Sequence, residues 1–362
     1  RWLTGALLAL LTDTGNIPPE FQEAAYTGVG ATITATGTEA GRPYTITTGA
    51  TGTGTFVTTT TTAATGPNFW NLGANWSTGS APANADNVYI RQSAVDILYG
   101  LDNNAVTLTL LDIDASYTGK IGLNEFSASG YAEYREQYLK ISATTAFCGR
   151  GFGTGPGRFR WNAGSNATTF GIYSTGSPDN NVVAAIDFVG THATNVINVN
   201  RGTLAVGRKP GTASTVATMT IGTQDGSTSN ASVYTGYNVT LGVVKMTGGT
   251  IDVWNGATTV TLDGGTLNAN KGAFTTINNN DGVVNYDTGG TCGTYVGGTG
   301  SLLDCSRVIA ARTFTTASLL AKSSFRDPAK TITFGGSGLY IGCKIEELTE
   351  FDPGENFFFQ RA

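Results

Sequence analysis

The C-terminal half of the chain repeats a short unit in which a small turn residue precedes alternating apolar positions. The unit recurs every 16 to 18 residues, and its clearest copies are residues 249–253, 265–269, 282–286 and 300–304. This period is too short for a propeller blade or a helical repeat. It fits one coil of a β-solenoid, whose strands stack on the next coil about 4.8 Å away. The sequence therefore predicts an all-β fold, a single-stranded, right-handed β-solenoid or parallel β-helix.

The composition favours the same fold. The 362 residues include 50 Gly and only 13% charged residues, and Thr and Asn replace much of the usual Lys and Glu. Threonine favours strands through its branched Cβ, and Gly and Asn supply corners with positive φ. Disorder is the competing interpretation of a chain rich in Gly and Thr. The 17 Phe, 14 Tyr and 5 Trp, together with alternating apolar runs, favour an ordered core instead.

Charge and cysteine spacing exclude several classes of function. The net charge is −5 and no stretch is rich in Lys or Arg, so we expect no nucleic-acid partner. The four cysteines are far apart and His192 is the only histidine, so we expect no metal site and no cofactor. Cys292 and Cys305 fit neighbouring coils either as a disulfide or as two buried thiols, and buried thiols are favoured. No apolar run approaches the roughly 18 residues of a membrane span.

Residues 1–66 are predicted to form a small α+β module that attaches the chain to a partner. Apolar residues from Trp2 to Leu11 follow helical spacing and predict a short amphipathic helix, with the end of a signal peptide as the alternative. Strands are expected near residues 31–36, 44–48 and 55–62. In these strands Ile33, Ile46 and Val57 would face inward.

Three further segments follow in the chain. Residues 67–157 form an aromatic-rich region with a cap and the first coils, 158–351 form the solenoid, and 352–362 form a terminal tail. Trp70 and Trp76 are predicted to cover an open end of the solenoid, each with its indole N–H bonded to a loop carbonyl. The tail contains Phe357, Phe358 and Phe359 in a row, which we expect to cap the last coil or to dock on another subunit.

A dense aromatic and charged patch is the first candidate contact site. The chain is otherwise neutral, and this patch combines three tyrosines with three charged residues: Tyr131, Tyr134 and Tyr138 with Glu133, Arg135 and Glu136. One interpretation is a loop held in place by local ion pairs. The other is a surface that contacts a partner or a glycan, since Tyr and Arg are enriched where partners anchor.

Arginines beside a glycine-rich segment are the second candidate site. Arg158 and Arg160 follow the glycines of residues 149–157 and make this region locally basic. A phosphate cradle needs a following helix, but here Pro156 and a predicted strand follow. The remaining interpretations are a solvated loop or a contact with an acidic glycan or a neighbour's carboxylates.

No catalytic constellation emerges from the sequence. The chain has no Glu between Glu136 and Glu346, and its Asp residues in this span are mostly isolated. Asp112 and Asp114 are the only close pair expected to share a strand face, whereas glycan hydrolysis requires two converging carboxylates. We therefore predict a non-enzymatic protein.

Several short motifs resemble one family of proteins. They lie at residues 69–71, 75–79, 82–90, 97–102, 117–123, 131–135, 190–193 and 325–334. Together they resemble uncharacterised β-solenoid proteins from planctomycete-type bacteria and tailed phages, over most of residues 25–345. The resemblance implies a structural part of a virion or a cell surface.

These observations lead to three hypotheses about function. The first is a structural virion protein of a tailed phage: a capsid decoration protein, a head fibre or a tail-associated spike. It would assemble as a homotrimer, bind other virion proteins and contact a host surface glycan. The second is a bacterial adhesin or sheath protein at the cell surface, and the third is a glycan-degrading tailspike.

Overall fold

The computed structural model describes residues 2–13, 15–49, 55, 57–60, 62–179, 183–209, 211–223, 230–335 and 338–353. The chain forms two compact units. The first comprises Arg1–Ala81, Val95–Asn103 and Ile121–Leu139, and the second comprises Pro82–Ala94, Asn104–Lys120 and Lys140–Ala362. The first unit thus combines the N-terminal module with two segments of the aromatic-rich region, and the four segments predicted from composition stay a prediction.

A helix on a β-hairpin forms the start of the first unit. Helix α1 (Trp2–Thr12) precedes the antiparallel strands β1 (Ala24–Val29) and β2 (Thr32–Gly37). A Cβ placed on Gly28 would lie 2.8 Å from Cδ2 of Leu8, so the helix packs closely on the hairpin at that glycine. The predicted helix is confirmed, and β2 corresponds to the strand expected near residues 31–36.

The prediction of two further strands in this module, near residues 44–48 and 55–62, is wrong. Residues 42–49 and the described residues of 55–62 have no ladder partner, and the Val57 side chain is 82% exposed. Ile46 is also exposed, whereas Ile33 is half-buried. A threonine-rich run has the propensity for a strand, but a strand also needs a neighbour to pair with and a face to bury.

The second, much longer set of strands builds the solenoid. These strands are β3 (Asn87–Ile90), β4 (Asp102–Asp114), β5 (Lys120–Ile121), β6 (Leu139–Arg150), β7 (Arg158–Asn162), β8 (Thr169–Ile172), β9 (Ile186–Val189), β10 (Val196–Val199), β11 (Thr203–Val206), β12 (Ser214–Ile221), β13 (Ser232–Thr235), β14 (Val239–Met246), β15 (Thr250–Val253), β16 (Ala257–Leu262), β17 (Thr266–Ala269), β18 (Phe274–Asn279), β19 (Val283–Tyr286), β20 (Thr291–Gly297), β21 (Leu302–Asp304), β22 (Arg312–Leu319), β23 (Ser324–Arg326), β24 (Ile332–Phe334), β25 (Leu339–Ile341) and β26 (Glu350–Asp352). Short 3-10 turns lie at Pro19–Glu23, Gly73–Asn75 and Ile345–Glu347.

Strands pair in parallel with the second strand before and after them in the chain. β15 pairs with β17 and β17 with β19, while β16 pairs with β18 and β18 with β20. Each coil therefore contributes one strand to each of two parallel sheets. Ile251 stacks on Leu267, as the repeat predicted, whereas Phe159 stacks on Ile186 because the N-terminal coils are longer. The predicted all-β solenoid is confirmed.

The longer strands bend at a fixed position in each coil. Pairing between β12 and β14 skips Ala217 and Gly242, and β22 pairs with β24 through its first half and with β25 through its second. A Cβ on Gly242 would lie 2.4 Å from the carbonyl oxygen of Ala217. Glycine permits this close approach of two backbones, and the bend turns one strand into two short faces.

The core consists of columns of side chains that stack from coil to coil. One sheet contributes a fully buried column of Met219, Val244, Val260, Ile277, Tyr295 and Ala317. The other sheet contributes a buried column of Leu204, Val233, Ile251, Leu267, Val284 and Leu303. Because each coil buries its apolar positions against the next, the continuous core stabilises all coils together.

Asn279 is a polar exception inside this core. It follows Leu262 in a column that is otherwise aliphatic over several coils, and it is fully buried. Its Nδ2 donates to the carbonyl oxygens of Gly282 and Leu302, each at 3.1 Å, and to the Tyr295 hydroxyl at 3.3 Å. The amide therefore connects the backbone of one corner to the following coil.

We predict that Asn279→Leu destabilises the second unit although it adds apolar surface. The substitution removes the donor to the Leu302 carbonyl and the Tyr295 hydroxyl, whereas the Gly282 carbonyl still accepts from the backbone N–H of Leu302. A buried polar group that loses its partner costs about 1–3 kcal/mol. Asn278→Ala, on the outward side of the same strand, is the matched control and should change the free energy of unfolding by less than about 0.5 kcal/mol. Urea denaturation monitored by circular dichroism measures both, and equal midpoints for the two variants would contradict this role.

Candidate functional site

The aromatic patch predicted as a contact site forms an internal network of the first unit. The Glu23 carboxylate accepts hydrogen bonds from Arg42, from Arg135 Nη2 at 3.3 Å and from the Tyr134 hydroxyl at 2.8 Å. Arg135 also donates to both oxygens of Glu133, through Nε at 2.7 Å and Nη2 at 2.9 Å. The guanidinium is buried and its geometry is bidentate, which is the strong form of this interaction.

The tyrosines of this patch are largely engaged in the same network. Tyr131 and Tyr138 are buried, and the Tyr131 hydroxyl accepts from Arg42 at 3.1 Å and from Arg135 at 3.2 Å. Burial and the hydrogen bond to Glu23 raise the pKa of Tyr134. These contacts correspond to the interpretation of a segment held by ion pairs. Only Tyr134, at 41% exposure, offers substantial surface to a partner.

Arg158 and Arg160 lie on strand β7 and are buried in the second unit. Arg158 Nη1 lies 2.6 Å from Asp179 Oδ2, and Lys120 Nζ lies 2.8 Å from Asp179 Oδ1. Arg150, which the sequence placed in the same basic region, donates to Asp112 at 2.6 Å. These cations are therefore partners of internal carboxylates and do not form an exposed basic loop.

The candidate catalytic pair separates into two structural roles. The carboxylate of Asp112 is buried and pairs with Arg150. Asp114 Oδ1 accepts from the backbone N–H of Ser116 at 2.8 Å and from its hydroxyl at 2.6 Å, and these bonds lower the pKa of Asp114. His192 Nδ1 similarly accepts from a nearby backbone N–H, at 3.2 Å. Each of these groups has a local partner that accounts for its position.

The two tryptophans predicted as caps contact each other in the first unit. Trp76 Nε1 donates to the Trp70 carbonyl oxygen at 2.7 Å, and the two rings meet edge to face at 4.9 Å. Trp70 is buried, and among the described residues its own Nε1 has no partner. The expected indole–carbonyl bond is thus present for Trp76, while the covering of an open end stays a prediction. Phe357, Phe358 and Phe359 lie outside the described residues.

The cysteines are free thiols, as the favoured interpretation predicted. Cys148, Cys292 and Cys305 are buried, and none of the four cysteines forms a disulfide. Burial raises the pKa of Cys292 to about 12. A buried thiol with a raised pKa is inert, so these residues serve packing.

One outward column of side chains, here called the outer ladder, runs along the sheet that contains β7 and β26. Its members are the outward residues of successive paired strands: Arg160, Asp187, Ala205, Tyr234, Asp252, Asn268, Asn285, Asp304, Arg326 and Asp352. Since paired strands lie about 4.8 Å apart, neighbouring members are within reach of one another. All but Ala205 are polar, charged or aromatic.

Hydrogen bonds fix the middle of the outer ladder. Asn285 Nδ2 donates to Asn268 Oδ1 at 2.7 Å, and Asn268 Nδ2 donates to Asp252 Oδ1 at 2.7 Å. Arg307 Nη1 also donates to Asn268 Oδ1, at 3.0 Å, and its Nη2 lies 3.6 Å from Asp287 Oδ2. The amide planes are therefore oriented by their neighbours before any partner arrives.

Ion pairs lie at both ends of the outer ladder. Towards the N-terminal end, Arg208 Nε lies 3.3 Å from Asp187 Oδ2. Towards the C-terminal end, Arg326 lies 2.7 Å from Glu350 and 3.8 Å from Asp304. At the C-terminal end Arg326 is the partner of both Asp304 and Glu350, and Asp352 is its register neighbour, so this end carries more carboxylates than cations.

Three aromatic side chains, here called the aromatic cluster, lie beside the middle of the outer ladder. Trp254 is 5.1 Å from Tyr237 and 6.4 Å from Tyr234, measured between ring centres. Lys271 Nζ lies 5.2 Å from the centre of the Tyr237 ring, and Tyr237 is 52% exposed. This face combines aromatic surface with preoriented amide and carboxylate groups, which is the composition of a binding site.

Sequence reasoning missed this arrangement for an identifiable reason. The sequence was searched for paired carboxylates, and the Asp residues between Glu136 and Glu346 were treated as mostly isolated. Equivalent positions of the ladder instead carry different residue types, here Tyr234, Asp252, Asn268 and Asn285. A signal was present in the third residue after the turn, which is polar in three of the four clearest copies, while in the fourth the polar residue Asp304 comes one position later.

Comparisons with known proteins found no match: no family model fits the chain, and neither the curated proteins nor the solved structures include a significant relative. The resemblance inferred from short motifs therefore stays a hypothesis. The residues that the structure describes contain no group of three or more His, Cys, Asp or Glu side chains placed to hold a metal ion. No helix in the described part of the chain has the length and apolar character of a membrane span.

We predict that Asp179→Asn lowers the stability of the protein at neutral pH but not in acid. Despite burial, which raises the pKa, the contacts with Lys120 and Arg158 lower the pKa of Asp179 below its usual value. A depressed folded-state pKa contributes stability above the unfolded-state pKa of about 3.9, and this stability is lost as pH falls through the folded-state pKa.

The difference in urea midpoint between Asp179→Asn and wild type should thus be present at pH 7, shrink as the pH falls below the unfolded-state pKa of about 3.9, and vanish only below the folded-state pKa. Glu346→Gln, at an exposed carboxylate, is the control and should leave the midpoint unchanged at pH 7. A deficit that persists at low pH would show that Asp179 acts by packing rather than by charge.

Proposed function

We propose that this chain is a non-enzymatic structural protein of a tailed-phage virion, either a capsid decoration protein, a head fibre or a tail-associated spike. The observation that supports this proposal is the continuous pair of buried columns in the solenoid. A fold in which every coil stabilises the next carries an extended outer surface without a large globular core. Such a scaffold suits display and assembly.

The distribution of polar groups supports a structural role over catalysis. Hydrolysis of a glycan requires two carboxylates on either side of the scissile bond. Asp112, Asp114 and Asp179 each have a dedicated partner among the described residues. Asp287 has a pKa raised by burial, but its carboxylate lies beside Arg307. The glycan-degrading spike is therefore the weakest of the three hypotheses.

Partners are part of the proposal. Large apolar side chains stand out in solvent at Phe152, at 97% exposure, at Ile309 and at Tyr340. Isolated apolar anchors of this kind fit contacts with further copies of the chain, as in a homotrimer, or with other virion proteins. The proposed location is the virion.

A bacterial surface adhesin or sheath protein is the second candidate. The feature that favours it is the aromatic cluster beside the outer ladder, because an exposed site on a rigid scaffold also suits attachment to a cell surface. The two candidates share the fold and differ in the particle that carries it.

We predict that peptides of this chain are stoichiometric components of purified DNA-filled particles from the source culture. Quantitative mass spectrometry of particles separated from cells and envelope fragments measures this, with copy number relative to the major capsid protein distinguishing decoration from tail. A cell-envelope fraction processed in parallel is the control. Peptides confined to the envelope fraction would refute the virion proposal and support the adhesin.

A further inference from the structure

We propose that the aromatic cluster and the middle of the outer ladder form a binding site for a neutral glycan. The residues that carry the site are Tyr237, Trp254, Asp252, Asn268 and Arg307. This inference rests on the proposed function, since it assigns a ligand class to the surface that the structural protein presents. It adds a site that neither the sequence patch nor the basic region anticipated.

The aromatic cluster supplies the apolar part of the site. Sugar rings present faces of C–H groups, and these faces pack on the electron-rich faces of aromatic rings. The Trp254 ring centre is 5.1 Å from that of Tyr237 and 6.4 Å from that of Tyr234, so the three rings lie together as one aromatic cluster. Tyr237 is half-exposed and therefore presents a rigid aromatic surface to solvent at little cost in conformational entropy.

The outer ladder supplies hydrogen bonds at the edge of that surface. Tyr234 and Asp252 are register partners, and Asp252 Oδ1 is occupied by the Asn268 amide. Its second carboxylate oxygen remains as an acceptor. Arg307 is 47% exposed and has five N–H donors, of which few are used by Asn268 and Asp287. Adjacent donors and acceptors match the hydroxyl groups of a sugar, each of which both donates and accepts.

Charge on this face selects a neutral ligand over an acidic one. Three cations and three carboxylates lie beside the site: Lys271, Arg307 and Arg208, and Asp252, Asp287 and Asp187. Arg208 acts electrostatically on Tyr234 and pairs with Asp187. These charges balance, so the site has no net positive field for a polyanion. An acidic glycan would meet the Asp252 carboxylate without a compensating excess of cations.

One buried group supports a functional use of this region. Trp254 Nε1 is inaccessible to solvent and has no hydrogen-bond partner among the described residues. Buried donors in native proteins are almost always paired, so an unpaired one calls for an explanation. A small rotation of the indole on binding would let this N–H donate to a sugar hydroxyl.

The test is affinity electrophoresis of the full chain in gels that contain dextran, mannan, galactan or xylan, with alginate as the anionic probe. We expect at least one neutral polysaccharide to slow migration. Trp254→Ala should weaken that binding at least tenfold, and Tyr237→Ala and Asp252→Asn each about threefold to tenfold, in line with the loss of one anchor or one charged hydrogen bond. Tyr89→Ala removes an aromatic ring that is 48% exposed elsewhere, to which no partner contact is assigned, and should change nothing.

Circular dichroism tests whether each variant is folded. If Trp254→Ala is unstable, Tyr237→Ala still tests the site, because the Tyr237 side chain is half-exposed. The inference is overturned if none of the four neutral polysaccharides slows migration of the wild-type chain. It is also overturned if Trp254→Ala and Tyr237→Ala are slowed as much as the wild type. Retardation by alginate alone overturns the neutral ligand class.

Two results distinguish a failure of this site from a failure of the proposed function: a reducing-end assay of the bound polysaccharide and the composition of purified particles. Release of reducing ends from a bound polysaccharide would contradict the non-enzymatic role while leaving the binding site in place. Loss of the glycan site would leave the virion proposal intact, because that proposal depends on the composition of purified particles.

Discussion

Parallel hydrogen bonding between successive coils is the interaction on which the rest of the structure depends. Each strand pairs on both sides with equivalent strands, so a residue's position along the strand decides its environment through many coils. Inward positions are apolar in most coils, with Asn279 as an exception, and outward positions form continuous columns. The same register that builds the core therefore also aligns Asp252, Asn268 and Asn285 on the outside.

The solenoid was predictable because the period of the repeat and its alternation of apolar and polar positions are both visible in the sequence. Ile251, Leu267 and Val284 are inward residues of three copies, and they stack as the repeat indicated. The N-terminal module was less predictable. Its threonine-rich runs have strand propensity, yet Val57 is exposed because propensity does not provide a pairing partner.

The candidate site was hidden for a different reason. Its residues come from several coils and differ in type, so no motif in the linear sequence unites Trp254, Asn268 and Arg307. Conversely, Arg135 and Arg158 stood out as charged residues in a neutral chain, and the structure pairs them with Glu133 and Asp179. In a chain with few charges, an arginine beside tyrosines or glycines signals an internal ion pair as readily as a surface contact. The informative signal was periodic polarity at the outward positions.

The bend in the longer strands divides the pairing of β22 into two parts. In the last coils, the eight-residue strand β22 meets two separate three-residue strands, β24 and β25, instead of another unbroken strand. An unbroken parallel edge would template the addition of further chains, as amyloid edges do. Splitting the final rung shortens each exposed edge below the length that a foreign strand can extend. Where the rung is split in this way, each half offers a partner only three residues of backbone instead of eight.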